Sequence, residues 1–283
     1  MKSYKNFDLT NYNSYRIVAS CKEVFFPNTE EEVIDCFVNN ENLILLGSGH
    51  NIILSKEFYE NKFIVFNGNF NNIIVSNDII EAESGAWMGD LSQIALDNSL
   101  SGIEMFYDIP SSLGGAVVMN AGASGQEIKD FLIKVKYLDL ADGVVKIMHK
   151  DEMSFEYRNS FFQKNTNKIV LKAWLKLEKF DKEKIAFKME KLKANRWGKQ
   201  PKAFPNGGSV FKRPEGYFVG AIIDELNLKG YTVGGAKISN KHGGFIINYE
   251  NATGSDILNI IYHVKNLVYE KLGVSLEVEQ RII

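Results

Sequence analysis

Residues 42–66 read NLILLGSGHNIILSKEFYENKFIVF and place a glycine-rich turn between apolar segments. The run before the turn, 42–47, is predicted to be a strand. In a Rossmann dinucleotide-binding unit such a turn opens a helix. Here it leads instead to further predicted strands, FIVF (63–66), NIIVS (72–76) and IIEAES (79–84), and the third glycine of the fingerprint is missing. The pattern and its context therefore exclude a Rossmann nucleotide site.

The bulk composition is that of an ordinary globular protein. Of the 283 residues, 45% are hydrophobic and 24% are charged, and the chain is long enough for one large or two moderate domains. The 33 basic and 35 acidic residues leave a formal net charge of −2. Because the chain has no excess of positive charge, we expect no nucleic-acid partner and no binding to an anionic membrane surface.

Targeting segments and metal-ligand patterns are also missing from the sequence. No apolar stretch resembles a secretory signal or approaches the roughly 20 residues of a membrane span, so the expected location is the cytoplasm. The two cysteines, Cys21 and Cys36, have apolar neighbours and are predicted to be buried thiols. The four histidines are scattered, and no metal site is predicted.

Helix and strand signals organise the N-terminal part of the chain. Thr29, with Glu32 three residues later, predicts a capping box that starts a helix. A second helix is predicted at 87–98. Residues 133–140 and 169–178 are predicted to be strands, because they are short apolar runs bounded by polar turns.

The C-terminal part has a different character from about residue 183. A charged helical stretch ends before a polar turn at 205–209 (PNGGS). Residues 255–272 carry their apolar side chains on one stripe, which predicts an amphipathic helix, and Gly273 is well placed to end it. The chain ends in a predicted strand, 274–283. The change in character predicts a domain boundary near 180.

Two segments are rich in the residues that bring backbone close to a phosphate. GSGHN (47–51) follows a predicted strand, so its N–H groups could close on a pyrophosphate, and a plain turn is an equal alternative. Residues 108–125, DIPSSLGGAVVMNAGASG, are the densest run of small residues in the chain. Because a long irregular connection in a compact domain is usually functional, we interpret this run as wrapping a flat, phosphate-bearing cofactor.

Three polar residues lie in contexts that an ordinary surface explains poorly. Arg158 is flanked by aromatic residues in YRNSFF, and Ser209 follows the glycine pair of the PNGGS turn. Glu279 lies in the terminal strand, whose alternation alone predicts an exposed side chain. Nearby basic residues could hold a diphosphate or form a solvated surface, and these are Arg196, Lys199, Lys202, Lys212 and Arg213.

Taken together, these segments resemble the UDP-N-acetylenolpyruvoylglucosamine reductases. The resemblance is collinear over nearly the whole chain. It is carried by NSYRI (13–17), LLGSGHNIIL (45–54), SGIEMFYDIPSSLGGAVVMNAGASGQEI (101–128), FEYRNSFF (155–162), GGSVFKRPEGYFVGAIID (207–224), LKGYTVGGAKISNKHGGFIIN (228–248) and LGVSLEVEQRII (272–283). No single motif is decisive, but so many in the right order are a strong signal.

The resemblance implies an α+β fold with an FAD-binding domain of the vanillyl-alcohol-oxidase type at 1–180, made of two α+β subdomains at about 1–66 and 67–180. A C-terminal α+β substrate domain would follow at 181–283. The implied enzyme binds FAD and uses NADPH to reduce UDP-N-acetylglucosamine enolpyruvate to UDP-N-acetylmuramate, a peptidoglycan precursor, and acts as a monomer. The short connection between Arg158 and Ser209 matches the compact type, which lacks an inserted tyrosine loop.

The resemblance also implies roles for individual residues. Arg158, Ser209 and Glu279 would be catalytic, with Ser209 as the proton donor and the other two stabilising the charge of the reduced substrate. The implied cofactor-binding residues are Gly47, Ser48, Gly49, His50, Asn51, Ile52, Pro110, Ser111, Ser112, Gly114, Gly115, Asn120, Gly122, Ala123 and Arg281. The implied substrate-binding residues are Tyr157, Arg196, Lys199, Lys212 and Arg213.

Three departures from the family pattern lie on the expected cofactor side. His50 replaces the usual serine of GxGSN, Ser111 replaces the glycine of IPG, and the arginine-isoleucine-glycine-glycine pattern reads RIVA at 16–19. Two alternatives stay open, and His50 and Ser111 motivate the second of them. One is a flavin oxidoreductase of the same fold that acts on another small acid, and the other is a flavin- or nucleotide-sugar-binding homologue without turnover.

Overall fold

The chain folds into helices and strands that alternate irregularly along its length, which confirms the predicted α+β class. The structure is a computed structural model that describes all residues, 1–283. By packing, the chain divides into two compact units. Unit 1 contains residues 1–5, 23–48 and 61–195, and unit 2 contains residues 6–22, 49–60 and 196–283. The functional domains predicted at 1–180 and 181–283 stay a prediction, because packing alone does not test them.

Seven helices are formed. They are α1 (Glu30–Asn39), α2 (Met88–Asp97), α3 (Leu113–Met119), α4 (Phe161–Lys164), α5 (Lys182–Lys199), α6 (Val219–Glu225) and α7 (Gly254–Leu272). None of them combines the length and the apolar character that crossing a membrane requires.

Nineteen strands complete the regular structure, and many are short. They are β1 (Lys2–Asp8), β2 (Ser20–Phe26), β3 (Ile44–Leu46), β4 (Ile52–Ile53), β5 (Phe58–Val65), β6 (Ile73–Ser76), β7 (Ile79–Glu83), β8 (Leu100–Ser101), β9 (Gly122–Ala123), β10 (Gln126–Glu127), β11 (Leu132–Asp139), β12 (Val144–His149), β13 (Lys168–Lys176), β14 (Glu178–Lys179), β15 (Asn206–Ser209), β16 (Thr232–Val233), β17 (Ala236–Ile238), β18 (Phe245–Asn248) and β19 (Arg281–Ile282).

Unit 1 is organised by a five-stranded antiparallel sheet in the order β12-β11-β13-β7-β6. The central strand β13 buries side chains on both faces. Ala173 and Leu175 lie in the core that also holds α2 and α3, whereas Ile169 and Leu171 join a second core with α1. Burial on both faces explains why the sequence of β13 is almost continuously apolar. The same strand packs against α3.

Helix α1 begins where the sequence predicts, but its cap differs in detail. The hydroxyl of Thr29 accepts the N–H of Glu32 at 3.3 Å, as expected. The carboxylate of Glu32 accepts the N–H of Asn28 at 2.7 Å, one residue before the position that a capping box requires. The predicted start of the helix is therefore confirmed. The predicted second bond of the capping box is wrong, because Glu32 accepts the N–H of Asn28 in place of that of Thr29.

Unit 2 contains a four-stranded antiparallel sheet in the order β15-β18-β17-β16, with α7 packed on β16 and β17. The predicted amphipathic helix and its end are confirmed, since α7 buries its apolar stripe and Gly273 follows it in the left-handed conformation at φ +66°. The polar turn predicted at 205–209 is wrong for 206–209, which form β15. The terminal run, predicted as one strand, forms regular strand only at β19, which pairs in parallel with β4.

Candidate active site

The two segments predicted to bind a phosphate come together in unit 1. A Cβ built on Gly47 would lie 2.6 Å from the Oγ of Ser112, so the first glycine of GSGHN and the start of the second segment are in direct contact. A Cβ on Gly114 would lie 2.9 Å from the Cβ of Ser84. A larger residue at Gly47 would displace the Ser112 side chain, and one at Gly114 would press on Ser84, so both glycines allow close packing at these points.

The second segment is more regular than its composition indicates. Ser112 caps α3, and its Oγ accepts the N–H of Gly115 at 3.4 Å. Asn120 ends the helix in the left-handed conformation at φ 45°. Its buried amide donates to the carboxylate of Glu127 and to the carbonyl of Glu156, both at 2.9 Å. The expectation of a wholly irregular connection is therefore wrong, because a short helix occupies its centre.

The second half of the GSGHN turn belongs to unit 2. Gly49 has φ +73°, and a Cβ there would lie 2.1 Å from the carbonyl oxygen of Tyr12, so only glycine fits. Its carbonyl accepts the N–H of Ser14 at 2.9 Å. The Ser14 hydroxyl is buried and has no hydrogen-bond partner within the protein. A buried hydroxyl beside a glycine turn fits a bound polar group, and this observation is compatible with FAD at the turn.

Asn51 and Ile52 join the turn to the C-terminal strand. The carbonyl of Asn51 accepts the N–H of Arg281 at 3.0 Å, and its amide donates to the carbonyl of Glu279 at 3.3 Å. Ile52 is the register partner of Arg281. Asn51 and Ile52, both predicted to contact the cofactor, thus lie beside the segment that contains Glu279, although 228 positions separate Asn51 from Glu279.

Ser209 and Glu279 are brought together in unit 2. Ser209 is exposed at the end of β15, opposite Phe245 of β18. The next carbonyl, that of Val210, accepts the N–H of Glu279 at 2.8 Å. Glu279 is half-buried, so the exposed position that alternation predicts is wrong. The physical reason is that its strand segment lies against residues 210–212 and is not one face of an open sheet.

Arg158 lies in unit 1, in a tight turn closed by the bridge between Glu156 and Asn159. Its backbone is left-handed at φ +53°. The guanidinium Nη2 donates to the carbonyl of Gly122 at 2.8 Å. The Cζ of the same guanidinium lies 5.0 Å from the ring centre of Tyr157. The other nitrogen, Nη1, is 3.9 Å from the carboxylate of Glu127. The predicted catalytic arginine is therefore held against the predicted cofactor segment.

The predicted substrate-binding cations have different surroundings. Lys212 pairs with Glu277 at 2.6 Å, so its charge is already partly neutralised. The guanidinium of Arg213 stacks over the ring of Phe218, with 3.9 Å between Cζ and the ring centre. Arg196 and Lys199 lie in the last turn of α5. Stacking leaves the planar N–H edge of Arg213 available to a phosphate, which makes it the best placed of this group.

A cavity of about 560 Å³ lies within unit 2, and sequence reasoning missed it. Three of its lining side chains are aromatic and three are lysines, and no carboxylate lines it. They are Trp197, Phe204 and Tyr249, with Lys202, Lys237 and Lys241, and they are joined by Pro201, Ala203, Ser239, Asn240 and Ile247. The mixture of flat rings and positive charge suits an anion that carries a planar base. Its sequence signal is weak, because the aromatic and basic residues come from three separate segments.

Comparison with known proteins matches both parts of the chain. Residues 22–148 match the sequence profile of the FAD binding domain, and residues 200–283 match that of the UDP-N-acetylenolpyruvoylglucosamine reductase C-terminal domain. A UDP-N-acetylenolpyruvoylglucosamine reductase of Caldanaerobacter subterraneus is 40% identical, over 100% of this chain and 94% of the relative. Its counterpart from Francisella tularensis is 39% identical, over 97% and 98% of the two chains.

A solved structure agrees with the sequence comparisons. The crystal structure of UDP-N-acetylenolpyruvylglucosamine reductase from Thermus caldophilus superimposes with a TM-score of 0.81 at 31% identity, and it covers 99% of this chain and 98% of that one. Both the full-length identity and the shared fold confirm the resemblance noted from the motifs. The chain therefore belongs to the UDP-N-acetylenolpyruvoylglucosamine reductase family.

Proposed function

We propose that this protein is a flavin-dependent oxidoreductase that reduces UDP-N-acetylglucosamine enolpyruvate to UDP-N-acetylmuramate with NADPH as the reductant. The reaction supplies a precursor of peptidoglycan. The observation that carries the proposal is the proximity of Ser209 and Glu279, whose backbones are joined through Val210, in a chain 40% identical to a reductase of this name. We also infer that the enzyme acts as a monomer, which light scattering of the purified protein would test.

In unit 1, FAD would be held where Gly47 meets Ser112 at the start of α3. The backbone approach at Gly47, the serine-rich start of α3 and the buried hydroxyl of Ser14 all fit a phosphate-bearing ligand. When bound, FAD would carry the hydride from NADPH to the substrate. The individual contacts of the predicted cofactor residues are part of this proposal.

The chain's own residues would supply charge stabilisation and a proton. Hydride addition at C3 of the enolpyruvyl double bond leaves negative charge at C2 that is delocalised into the carboxylate. In the proposed mechanism Arg158 stabilises this charge, and Glu279 takes part as a hydrogen-bonded or protonated partner of the reduced substrate. The hydroxyl of Ser209 then donates its proton to C2, so that one hydride and one proton are added across the double bond. A serine is a weak acid, but the carbanionic centre is strongly basic and the proton has a short way to travel.

The test separates the two half-reactions. Anaerobic flavin reduction is followed at about 450 nm with NADPH and with NADH, and the enolpyruvyl substrate is then added. For Ser209→Ala we expect NADPH to reduce the flavin at nearly the wild-type rate, while reoxidation by substrate slows by orders of magnitude. Ser275→Ala, which truncates an exposed serine of the same unit, is the matched control and should behave like wild type.

Three other outcomes would change the interpretation. Equal slowing of both half-reactions in Ser209→Ala would refute the proton-donor role. Normal reduction by NADPH with no reoxidation by this substrate in the wild type would favour the alternative enzyme, a flavin oxidoreductase for another small acid. Protein that purifies without yellow colour and takes up no FAD would favour the homologue without turnover.

A further inference from the structure

A buried polar pair in unit 2 joins the N-terminal segment to the C-terminal strand. Tyr15 is fully buried and Gln280 is 4% exposed. The hydroxyl of Tyr15 donates to the Oε1 of Gln280 at 2.9 Å. The two residues are 265 positions apart. Both lie in motifs that carry the family resemblance, but neither is assigned a catalytic, cofactor-binding or substrate-binding role by it.

The amide nitrogen of Gln280 contacts the strand that carries Ser209. It donates to the carbonyl of Gly207 at 2.8 Å, and it lies 3.3 Å from the carbonyl of Gly208 and 3.4 Å from that of Ser209. One side chain therefore spans three successive carbonyls of β15. Gln280 follows Glu279 directly in the sequence. Residues 279–280 therefore include one predicted catalytic residue of this unit and contact the strand that contains the other, Ser209.

Gly207 packs tightly against both residues of this pair. A Cβ on Gly207 would lie 2.5 Å from the Cε2 of Tyr15 and 2.8 Å from the Nε2 of Gln280. Burial raises the pKa of the Tyr15 phenol well above its usual range, so the hydroxyl stays a neutral donor. Buried polar groups are costly unless they are satisfied, and here the phenol and the amide satisfy each other and the strand carbonyls.

Gly208, the residue before Ser209, donates its N–H to the Oδ1 of Asn206 at 3.1 Å. Gly208 has φ +82°, and no neighbouring atom lies within 4 Å of the position that a side chain would occupy. The carbonyl contacts of Gln280 on either side of Gly208 restrict this glycine. These contacts therefore help to fix the backbone from which the Ser209 side chain projects.

We propose that Tyr15 and Gln280 are positioning residues that hold the Ser209 hydroxyl in place for proton transfer. The proposal rests on the proposed role of Ser209 as the proton donor. A misplacement of about 1 Å in a reacting group lowers a rate by about a hundredfold. Removal of the pair therefore acts on the step that needs the proton and leaves substrate binding and flavin reduction largely unchanged.

Two variants and one matched control test the proposal on the FAD-loaded enzyme. Gln280→Met keeps the length of the side chain but removes both polar atoms, and Tyr15→Phe removes only the hydroxyl. Tyr59→Phe is the control, because Tyr59 is 2% exposed, lies in the same unit and donates its hydroxyl to the carbonyl of Ile283 at 2.8 Å. It removes a comparable bond without touching β15.

We expect reoxidation by the enolpyruvyl substrate to slow by about 10- to 100-fold in Gln280→Met and by about 3- to 10-fold in Tyr15→Phe. Reduction by NADPH and the dissociation constant of the substrate should stay within about twofold of wild type in both. Hydrogen exchange in the peptide that covers 206–210 should accelerate in Gln280→Met and stay unchanged in Tyr59→Phe. This last readout does not depend on turnover.

The outcomes separate the positioning role from the proposed function. If Ser209→Ala slows reoxidation but Gln280→Met and Tyr15→Phe do not, the positioning role is refuted and the function stands. If Ser209→Ala reoxidises at the wild-type rate, the proton-donor role fails and the positioning role fails with it. Equal losses in both half-reactions, or equal losses in Tyr59→Phe, would show a merely structural effect and would also overturn the proposal.

Discussion

A single methyl group added at Gly207 is expected to destabilise unit 2. The Cβ of Gly207→Ala would lie 2.5 Å from Tyr15 Cε2 and 2.8 Å from Gln280 Nε2, well inside van der Waals contact. The φ angle of Gly207 is not in the left-handed region, so the backbone itself accepts alanine. The whole cost of the substitution therefore comes from displacing the buried Tyr15–Gln280 pair.

The size of the effect follows from three contributions. Inserting a methyl group into a well-packed core costs about 1–3 kcal/mol. Separating the amide from the strand carbonyls adds about 1 kcal/mol of lost hydrogen bonding. Alanine also restricts the unfolded chain and returns about 0.4–1 kcal/mol. We expect Gly207→Ala to lower the free energy of unfolding by about 2 kcal/mol, which corresponds to a Tm lower by about 4–8 °C.

Two other glycines provide controls for this prediction. Gly198→Ala places a methyl group in open space within α5 and should be neutral or slightly stabilising. Gly208→Ala also meets open space, but its φ of +82° makes alanine cost about 1 kcal/mol through the backbone alone. Urea unfolding followed by circular dichroism ranks the three variants. A Gly207→Ala protein as stable as Gly198→Ala would refute the reasoning, because it would show that the buried pair yields without cost.

Two further predictions concern other parts of the chain. Burial alone would raise the pKa of the Glu104 carboxyl, but hydrogen bonds from Ser101 and Lys188 outweigh it and hold the pKa below its usual range. The free energy of unfolding lost in Glu104→Gln, about 1–2 kcal/mol in urea unfolding, should therefore be fully present at neutral pH. It should disappear as the pH falls through the lowered pKa of this carboxyl, and a pH-independent difference would contradict this. Lys237→Ala, which removes one cation from the lysine-lined cavity, should weaken binding of UDP in calorimetry by about tenfold. Lys229→Ala, outside the cavity, should leave UDP binding unchanged, and equal affinities in the two variants would exclude the cavity as the nucleotide site.

Local signals in the sequence predicted the elements whose structure depends on neighbours in the chain. Helix α7 is such a case, because its apolar stripe and Gly273 specify the length, the buried face and the end of the helix. The start of α1 at Thr29 is another. In both, the groups that interact are three or four residues apart, so a single sequence contains the whole interaction.

The same reasoning failed where the partner is far away in sequence. Alternation predicted an exposed Glu279, yet its N–H bonds to Val210 and its neighbour Gln280 is buried beneath Tyr15. Composition predicted a turn at 205–209, yet the pairing of Asn206 with Ile247 makes a strand there. No periodicity records such pairings, so the family motifs, and not the physical patterns, identified Ser209 and Glu279.

Two residues that depart from the family pattern, Ser111 and Val18, have a physical account in the structure. Ser111, which stands for a glycine, donates its hydroxyl to the carbonyl of Ser112 at 3.0 Å, so the added polar group is satisfied within the segment. Val18, which also stands for a glycine, is 75% exposed and has no left-handed φ angle, and so its side chain meets no obstacle. Since neither position requires glycine in this backbone, the substitutions leave the glycine turn and the start of α3 intact. They are therefore compatible with a working flavin site.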